Sequence, residues 1–357
     1  MPELFKNILG SDESLFLNPQ LLDFDYQPKL ILYREEQQHN IASCIKPILQ
    51  RRNGTNLIIL GTPGIGKTVC LKHVLEDLKD EFPNEVFCLY VNCWKANSPS
   101  KIALSLCHQL NYKWTQNRSF DELIKEASQL MNEKSVVIVL DEVDKLEDYG
   151  IIYTLLEDIF RKCLILITNE SQFLINLDSR IRSRLTPSVL EFKHYNKEQT
   201  EGILKERLQY AFVPNSLSSE AFSKIVEKTY ELKDIRAGLF LMKEAGELAE
   251  AKSQKKINVE DAEKAIFKLE DFKTKDIQLF EDEDKEVINI IKSNSGKTSK
   301  EIFQVYEAKQ GKSYRTFQRK VKHLEKAGII NFKEINKGFE GKITVIEYNT
   351  NKTLDEF

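Results

Sequence analysis

Asn56-Leu57-Ile58-Ile59-Leu60 runs without interruption into Gly61-Thr62-Pro63-Gly64-Ile65-Gly66-Lys67-Thr68. The first segment is short, apolar and partly β-branched, the pattern of a strand buried on both faces. The second satisfies the spacing G-x-x-x-x-G-K-[ST] in full. Helical sequence from Val69 to Asp80 follows, so the motif stands between a strand and a helix, the context its chemistry needs. Its glycines let backbone amides curl inward toward phosphate oxygens. The helix behind them points its positive end at the same place. Thr62, Pro63, Gly64, Ile65, Gly66, Lys67, Thr68 and Val69 are therefore the candidate nucleotide-binding residues. Lys67 is placed to reach the β- and γ-phosphates of ATP, and Thr68 to ligate Mg²⁺.

Four more apolar runs flank this one: Val86 to Val91, Val136 to Leu140, Leu164 to Ile167 and Val189 to Phe192. They alternate with helical stretches, which predicts a three-layer α/β domain around a parallel sheet, ending near Phe192. The run Val136 to Leu140 leads into Asp141-Glu142-Val143-Asp144. Adjacent carboxylates at a strand end need roles on different sides of a phosphate. Asp141 is the candidate metal residue, acting through water, and Glu142 the candidate base for the attacking water. Asp144 reads as a helix cap. The run Leu164 to Ile167 leads into Thr168-Asn169, which places Asn169 toward the γ-phosphate and the attacking water. Downstream lie Arg180, Arg182 and Arg184. One of them is a candidate arginine finger toward a neighbouring subunit's ATP; the alternative is a solvated basic face. Arg236 opens a later helix and is placed to reach back to the γ-phosphate.

The chain has 357 residues, 41% hydrophobic and 30% charged, enough for two or three folded domains. No 18-residue apolar stretch and no basic-then-apolar start are present, which excludes a membrane span and a signal peptide as readings. The six cysteines match no zinc spacing and read as small buried hydrophobes in a reducing, cytoplasmic setting. Net charge is −3, yet residues 292–342 hold 13 Lys/Arg against 5 acids. This local excess is an electrostatic footprint for nucleic-acid phosphate.

From Asn196 to Leu269 only helical spacing appears. The four acids at 281–284 read as helix-start residues. The tail then reads as three helices, Glu286 to Lys292, Ser299 to Gln310 and Ser313 to Gly328. Two strands close it, Ile329 to Ile335 and Lys342 to Tyr348. That order is the winged-helix arrangement. In its third helix Phe317, Val321 and Leu324 face a core. Thr316, Gln318 and Arg319 are the candidates for base edges, and Arg315, Lys320 and Lys322 for phosphates. Lys337 and Lys342 belong to the wing. A basic helix in a protein-docking winged helix is the alternative.

Together these residues resemble the AAA+ ATPases, and more narrowly the archaeal replication-initiator family related to the origin-recognition-complex large subunit and cell division control protein 6. The narrower likeness rests on Leu32-Tyr33-Arg34-Glu35-Glu36-Gln37 before the core. It rests further on Thr168-Asn169 running into the Leu177–Ser183 segment, and on Glu191-Phe192-Lys193-His194-Tyr195 with Arg207 at the lid start. Asp234-Ile235-Arg236-Ala237-Gly238, Val259 with Ala262 and Ala265, and the winged-helix tail complete it. The resemblance covers about residues 17–348. It implies an AAA+ P-loop ATPase core with a helical lid domain and a C-terminal winged-helix domain. The corresponding boundaries are a flexible segment over 1–20, a core over 21–192, a lid over 193–272 and the winged helix over 273–357. It implies ATP/ADP and Mg²⁺ as cofactors, with Tyr195 and Arg207 beside the nucleotide, Asn169 and Arg236 as sensors, and Arg180 as the closest match to the finger. It also implies double-stranded origin DNA, the replicative helicase and further copies or paralogues as partners, a nucleoid-associated location, and slow regulatory hydrolysis. A helix near Asn97–Leu110 would touch DNA. Ile65 departs from the small polar residue often found there. A mobile-element or plasmid helper and an ATP-gated winged-helix transcription regulator are the other functions compatible with the same motifs.

Overall fold

The protein is described from a computed structural model, over residues 14–278, 282–310, 313–326, 330–336 and 342–348. It divides into two compact units. One holds Phe16–Pro214 with Thr229–Leu239; the other holds the described residues of Met1–Leu15, Asn215–Lys228 and Phe240–Phe357.

The first unit is built on five parallel strands: β1 (Leu57–Leu60), β2 (Val86–Asn92), β3 (Ser135–Asp141), β4 (Lys162–Thr168) and β5 (Ser188–Glu191). Their spatial order is β2-β3-β4-β1-β5. Alternate residues of β1 to β4 feed two separate cores, while β5 closes one edge of the sheet largely exposed. Ile58, Ile138, Leu140, Leu164 and Leu166 pack against α3 (Pro99–Gln109), α4 (Phe120–Met131) and α5 (Gly150–Asp158). Leu57, Ile59, Val137, Val139, Ile165 and Ile167 pack against α1 (Glu35–Leu49) and α2 (Lys67–Glu81). Burial on both faces explains why the strands read as apolar runs rather than alternating ones. It yields the expected helix–sheet–helix sandwich.

Register then positions the chemistry. Leu60 pairs with Thr168 on one side and Glu191 on the other, so the phosphate loop leaves the sheet beside Asn169 and Phe192. Asn92 pairs with Asp141, which sets the ends of β2 and β3 side by side. Past β4 come two short helices, α6 (Phe173–Asn176) and α7 (Ser179–Leu185), then α8 (Lys197–Ala211) after β5.

Residues 16–18, within the segment 1–20 expected to be flexible, are instead tied down. The amides of Leu17 and Asn18 donate to Ala211 O at 2.9 and 3.2 Å, and the Phe16 ring lies 4.7 Å from that of Phe212. Apolar Phe16, Leu21 and Leu22 show no helical or strand period in so short a stretch, so their partner α8 was invisible locally.

Helices α9 (Ser219–Leu232) and α10 (Ile235–Ala251) are shared between the units, and α11 (Val259–Gln278) belongs to the second. Among the described residues the region 196–269 holds α8 with these helices, and its residues enter two isolated bridges, Leu217 to Ile257 and Phe212 to Phe16.

The C-terminal part is a winged helix: α12 (Asp282–Ser293), β6 (Lys297–Thr298), α13 (Ser299–Gln310), α14 (Tyr314–Lys326), β7 (Ile330–Asn336) and β8 (Lys342–Tyr348). Its antiparallel sheet has the order β6-β8-β7. Two-residue β6 is too short to show in sequence. Ile291, Ile302, Tyr306, Phe317, Val321, Leu324 and Ile346 form its core. No helix of the described residues is long and apolar enough to cross a membrane. All six cysteines are free thiols, four of them buried.

Candidate functional site

The loop after β1 is shaped by glycines with left-handed backbones. Gly64 has φ +73° and Gly66 +88°, values L side chains rarely adopt. A Cβ on Gly64 would also run into the Asp234 carboxylate, at 1.9 Å from Oδ1. Inside this loop Lys67 is buried. Its ammonium donates to Gly61 O at 2.7 Å, Thr62 O at 2.9 Å and Asn169 Oδ1 at 2.8 Å. Burial pulls its pKa down to about 8, against the opposing pull of Asp141.

Asp141, at the end of β3, is buried and accepts three hydrogen bonds. Thr68 Oγ1 donates to Oδ2 at 2.7 Å, Tyr90 OH donates to the same oxygen at 2.6 Å, and the Glu142 amide donates to Oδ1 at 2.9 Å. Burial and the neighbouring Asp141 charge hold the Tyr90 hydroxyl protonated well above its ordinary range. Glu142 has φ +54°, a left-handed backbone for a residue with a long side chain. Such an outlier persists where surrounding structure holds it, typically at functional sites. Burial, then Asp141 and Asp144, raise the Glu142 carboxyl above the usual carboxylate range.

Asp144 is not a helix cap. It lies inside a three-residue 3-10 turn, Val143–Lys145, whose cap position is Glu142. Its Oδ1 accepts from Thr168 Oγ1 at 2.8 Å and the Asn169 amide at 3.4 Å, so it fastens the end of β3 to the end of β4. The pair thereby fixes Asn169 where Lys67 meets it.

On the other side of the loop, Arg34 is buried between rings. Its guanidinium carbon lies 4.0 Å from the Tyr195 ring centroid and 5.0 Å from that of Phe192. It donates to Ile65 O at 2.9 Å, Lys193 O at 2.8 Å and Tyr195 OH at 3.0 Å. Tyr195 thereby reaches the loop, 3.0 Å from where a Cβ on Gly66 would stand. Arg34 and Asp234 stand in the sequence only as members of quoted motifs, and Tyr90 only as a strand residue; none is marked there as part of the site. A lone arginine before a helix and a tyrosine within an apolar strand carry no local signature, because their partners are remote in the chain.

Arg236 stands at the start of α10, paired with Asp234 through Nε at 3.1 Å and a terminal nitrogen at 2.9 Å. The Ile235 amide donates to Gly64 O at 3.2 Å, so this turn abuts the phosphate loop. Arg207 on α8 stacks 5.1 Å from the Tyr26 ring, and burial lowers its pKa. Arg180 and Arg182 are exposed on α7, while Arg184 pairs with Glu157 and lies over Tyr153.

On α14, Arg315, Gln318, Arg319 and Lys322 are exposed, and Thr316 is half-buried against Ser313. Lys320, expected on phosphate, is instead buried, with its ammonium 2.6 Å from Asp284 Oδ1. It sits three residues after Phe317, on the helix face that packs inward. Asp284 is correspondingly an ion-pair residue and not merely an acid at a helix start. Lys337 lies outside the described residues, and Lys342 is described only as the first residue of β8. The predicted DNA-facing segment Asn97–Leu110 forms α3, whose Ile102, Ala103, Leu106 and Cys107 are buried.

The AAA domain family model matches residues 50–177, and the Cdc6 AAA+ ATPase-type lid domain model matches residues 201–266. The chain is 26% identical to ORC1-type DNA replication protein 2 of Methanothermobacter thermautotrophicus, over 96% of this chain and 94% of that protein. It is 29% identical to ORC1-type DNA replication protein 1 of Archaeoglobus fulgidus, over 95% and 89%. Its fold matches the Aeropyrum pernix ORC1 protein solved in complex with DNA, with TM-score 0.70, 23% identity and coverage of 97% and 96%. It also matches Cdc6p from Pyrobaculum aerophilum, with TM-score 0.64, 20% identity and coverage of 95% of each chain. The phosphate loop, the paired carboxylates of β3, the lid and the winged helix all fall within these matches: the chain carries an AAA domain and a Cdc6-type lid domain and is similar over nearly its whole length to archaeal ORC1-type DNA replication proteins.

Proposed function

We propose that the protein is an ATP-dependent replication initiator. Its winged helix binds duplex DNA at an origin, and ATP binding with slow hydrolysis times recruitment or loading of the replicative helicase. The observation that carries this is likeness over nearly the whole chain to ORC1-type DNA replication proteins. The DNA-bound A. pernix structure supports a DNA-facing role for the same architecture.

In this account Lys67 and the loop amides hold the β- and γ-phosphates of ATP. Thr68 and Asp141 supply hard oxygen donors side by side, which suits Mg²⁺. When bound, that ion offsets phosphate charge. Glu142, with its raised carboxyl pKa, takes the proton of the attacking water. Asn169 and Arg236 flank the loop as sensors, and Tyr195 and Arg207 line the nucleotide's other side. An exposed arginine of α7, Arg180 by resemblance, reaches a neighbouring copy or paralogue. The winged helix contacts DNA through Arg315, Thr316, Gln318, Arg319 and Lys322, with Lys337 and Lys342 on the wing. In this reading the chain is organised as a core over 21–192, a lid over 193–272 and a winged helix over 273–357, and it acts at the nucleoid in the cytoplasm.

Depletion in the protein's own cell tests the reading. Replication starts mapped by copy number along the chromosome lose at least one peak if the protein is an initiator. An unchanged start profile, with altered transcription or mobile-element transfer instead, overturns it in favour of a regulator or a mobile-element helper.

A further inference from the structure

We propose that Tyr90 is a positioning residue for the metal carboxylate Asp141, and that Gln109 holds Tyr90 in turn. The inference rests on the reading of Asp141 as the metal residue.

Thr68 Oγ1 and Tyr90 OH both donate to Oδ2 of Asp141, at 2.7 and 2.6 Å. A hydroxyl that ligates Mg²⁺ through its own lone pair need not stay fixed on Asp141. Tyr90 approaches from a different element, the neighbouring strand β2, and is free of that duty. With the Glu142 amide on Oδ1 at 2.9 Å, it fixes the plane of the carboxylate. Hydrogen bonds of this kind behind a metal ligand orient it and tune its affinity.

Tyr90 is itself unusually well held. β2 is an edge strand, so one row of its amides and carbonyls lacks a strand partner. Gln109, the last residue of α3, supplies that partner at Tyr90. The Tyr90 amide donates to Gln109 Oε1 at 2.9 Å, and Gln109 Nε2 donates to Tyr90 O at 2.9 Å. Above the ring, Lys72 of α2 lies 4.9 Å from the centroid. The ring is thus gripped at its backbone and covered on its face, with its hydroxyl aimed at Asp141. A side-chain amide satisfying both backbone groups of one residue is a specific device, and the residue it fixes is the one touching the carboxylate. The chain of contacts runs from the end of α3 to the metal site without a gap.

The test titrates Mn²⁺ into the full-length protein bound to ADP, read by electron paramagnetic resonance, so that no turnover is required. Tyr90→Phe removes one oxygen and leaves the ring in place. It is expected to keep metal-free ADP affinity within about twofold and to weaken Mn²⁺ binding about tenfold, the low end for residues behind a metal ligand. Gln109→Glu, which cannot donate to Tyr90 O, is expected to weaken it in the same direction by a smaller factor. Asp141→Asn serves as the reference and is expected to weaken Mn²⁺ binding further than Tyr90→Phe does, with the ADP phosphates and Thr68 still offering oxygen donors. Wild-type Mn²⁺ affinity in Tyr90→Phe alongside an impaired Asp141→Asn overturns the proposal and leaves the metal-site reading standing. Wild-type affinity in Gln109→Glu removes Gln109 from it. Wild-type affinity in Asp141→Asn overturns the metal-site reading itself, and the proposal with it.

Discussion

Lys67 sets its ammonium 2.8 Å from Asn169 Oδ1, tying the phosphate loop to the end of β4 across 102 residues of sequence. The contact lies in a buried place that holds Lys67 near pKa 8. Bound phosphate stabilises the charged ammonium, so above that pH nucleotide binding must take up a proton. ATP affinity is therefore flat below about pH 7 and falls with rising pH through 8, approaching about tenfold per unit. Fluorescent-nucleotide titrations across pH check this, and Lys67→Ala abolishes both the binding and its pH dependence.

Glu142 carries a carboxyl whose pKa is raised by burial and by Asp141 and Asp144. Glu142→Ala leaves ATP binding intact and lowers turnover by about 10²- to 10⁴-fold, the usual share of a positioned base. In the unaltered protein the acid limb of the turnover profile sits above the ordinary glutamate range, because the base works only once deprotonated. Steady-state hydrolysis against pH measures both.

Arg236 and Asp234 behave as one unit. Asp234 is 5% exposed and faces Gly64, so Arg236→Ala strands a carboxylate beside the phosphates. Breaking a buried pair from one side costs about 3 kcal/mol or more. Adding Asp234→Asn to Arg236→Ala recovers part of both stability and ATP affinity. Denaturant unfolding and nucleotide titration of the four proteins in the cycle check it; strictly additive effects contradict the coupling.

Neighbouring basic residues of α14 separate cleanly. Arg319→Ala leaves stability unchanged and weakens duplex binding, by about 1–3 kcal/mol where it reads a guanine. Lys320→Ala breaks the buried pair with Asp284 and lowers stability, whereas Lys320→Met with Asp284→Leu restores it. Thermal unfolding beside DNA titration distinguishes the two.

Much of this architecture is legible in sequence because its signals are local. The strand runs, the phosphate loop and the apolar stripe of Phe317, Val321 and Leu324 each lie within one element. What was missed depends on pairings between distant segments. Asp144 read as a cap because its partner Thr168 belongs to another strand. Lys320 read as a phosphate contact because composition marks the helix as basic without saying which lysine faces inward. Arg34 joins Ile65, Lys193 and Tyr195, a set that only the folded unit assembles.

An initiator must occupy replication starts in the cell. Crosslinking it to its own cell's DNA and sequencing the bound fragments tests that most directly. An initiator gives a few sharp intergenic peaks coinciding with replication starts, lost when Arg315, Gln318 and Arg319 are replaced by alanine. Dispersed binding, or peaks confined to promoters or mobile elements, would contradict it.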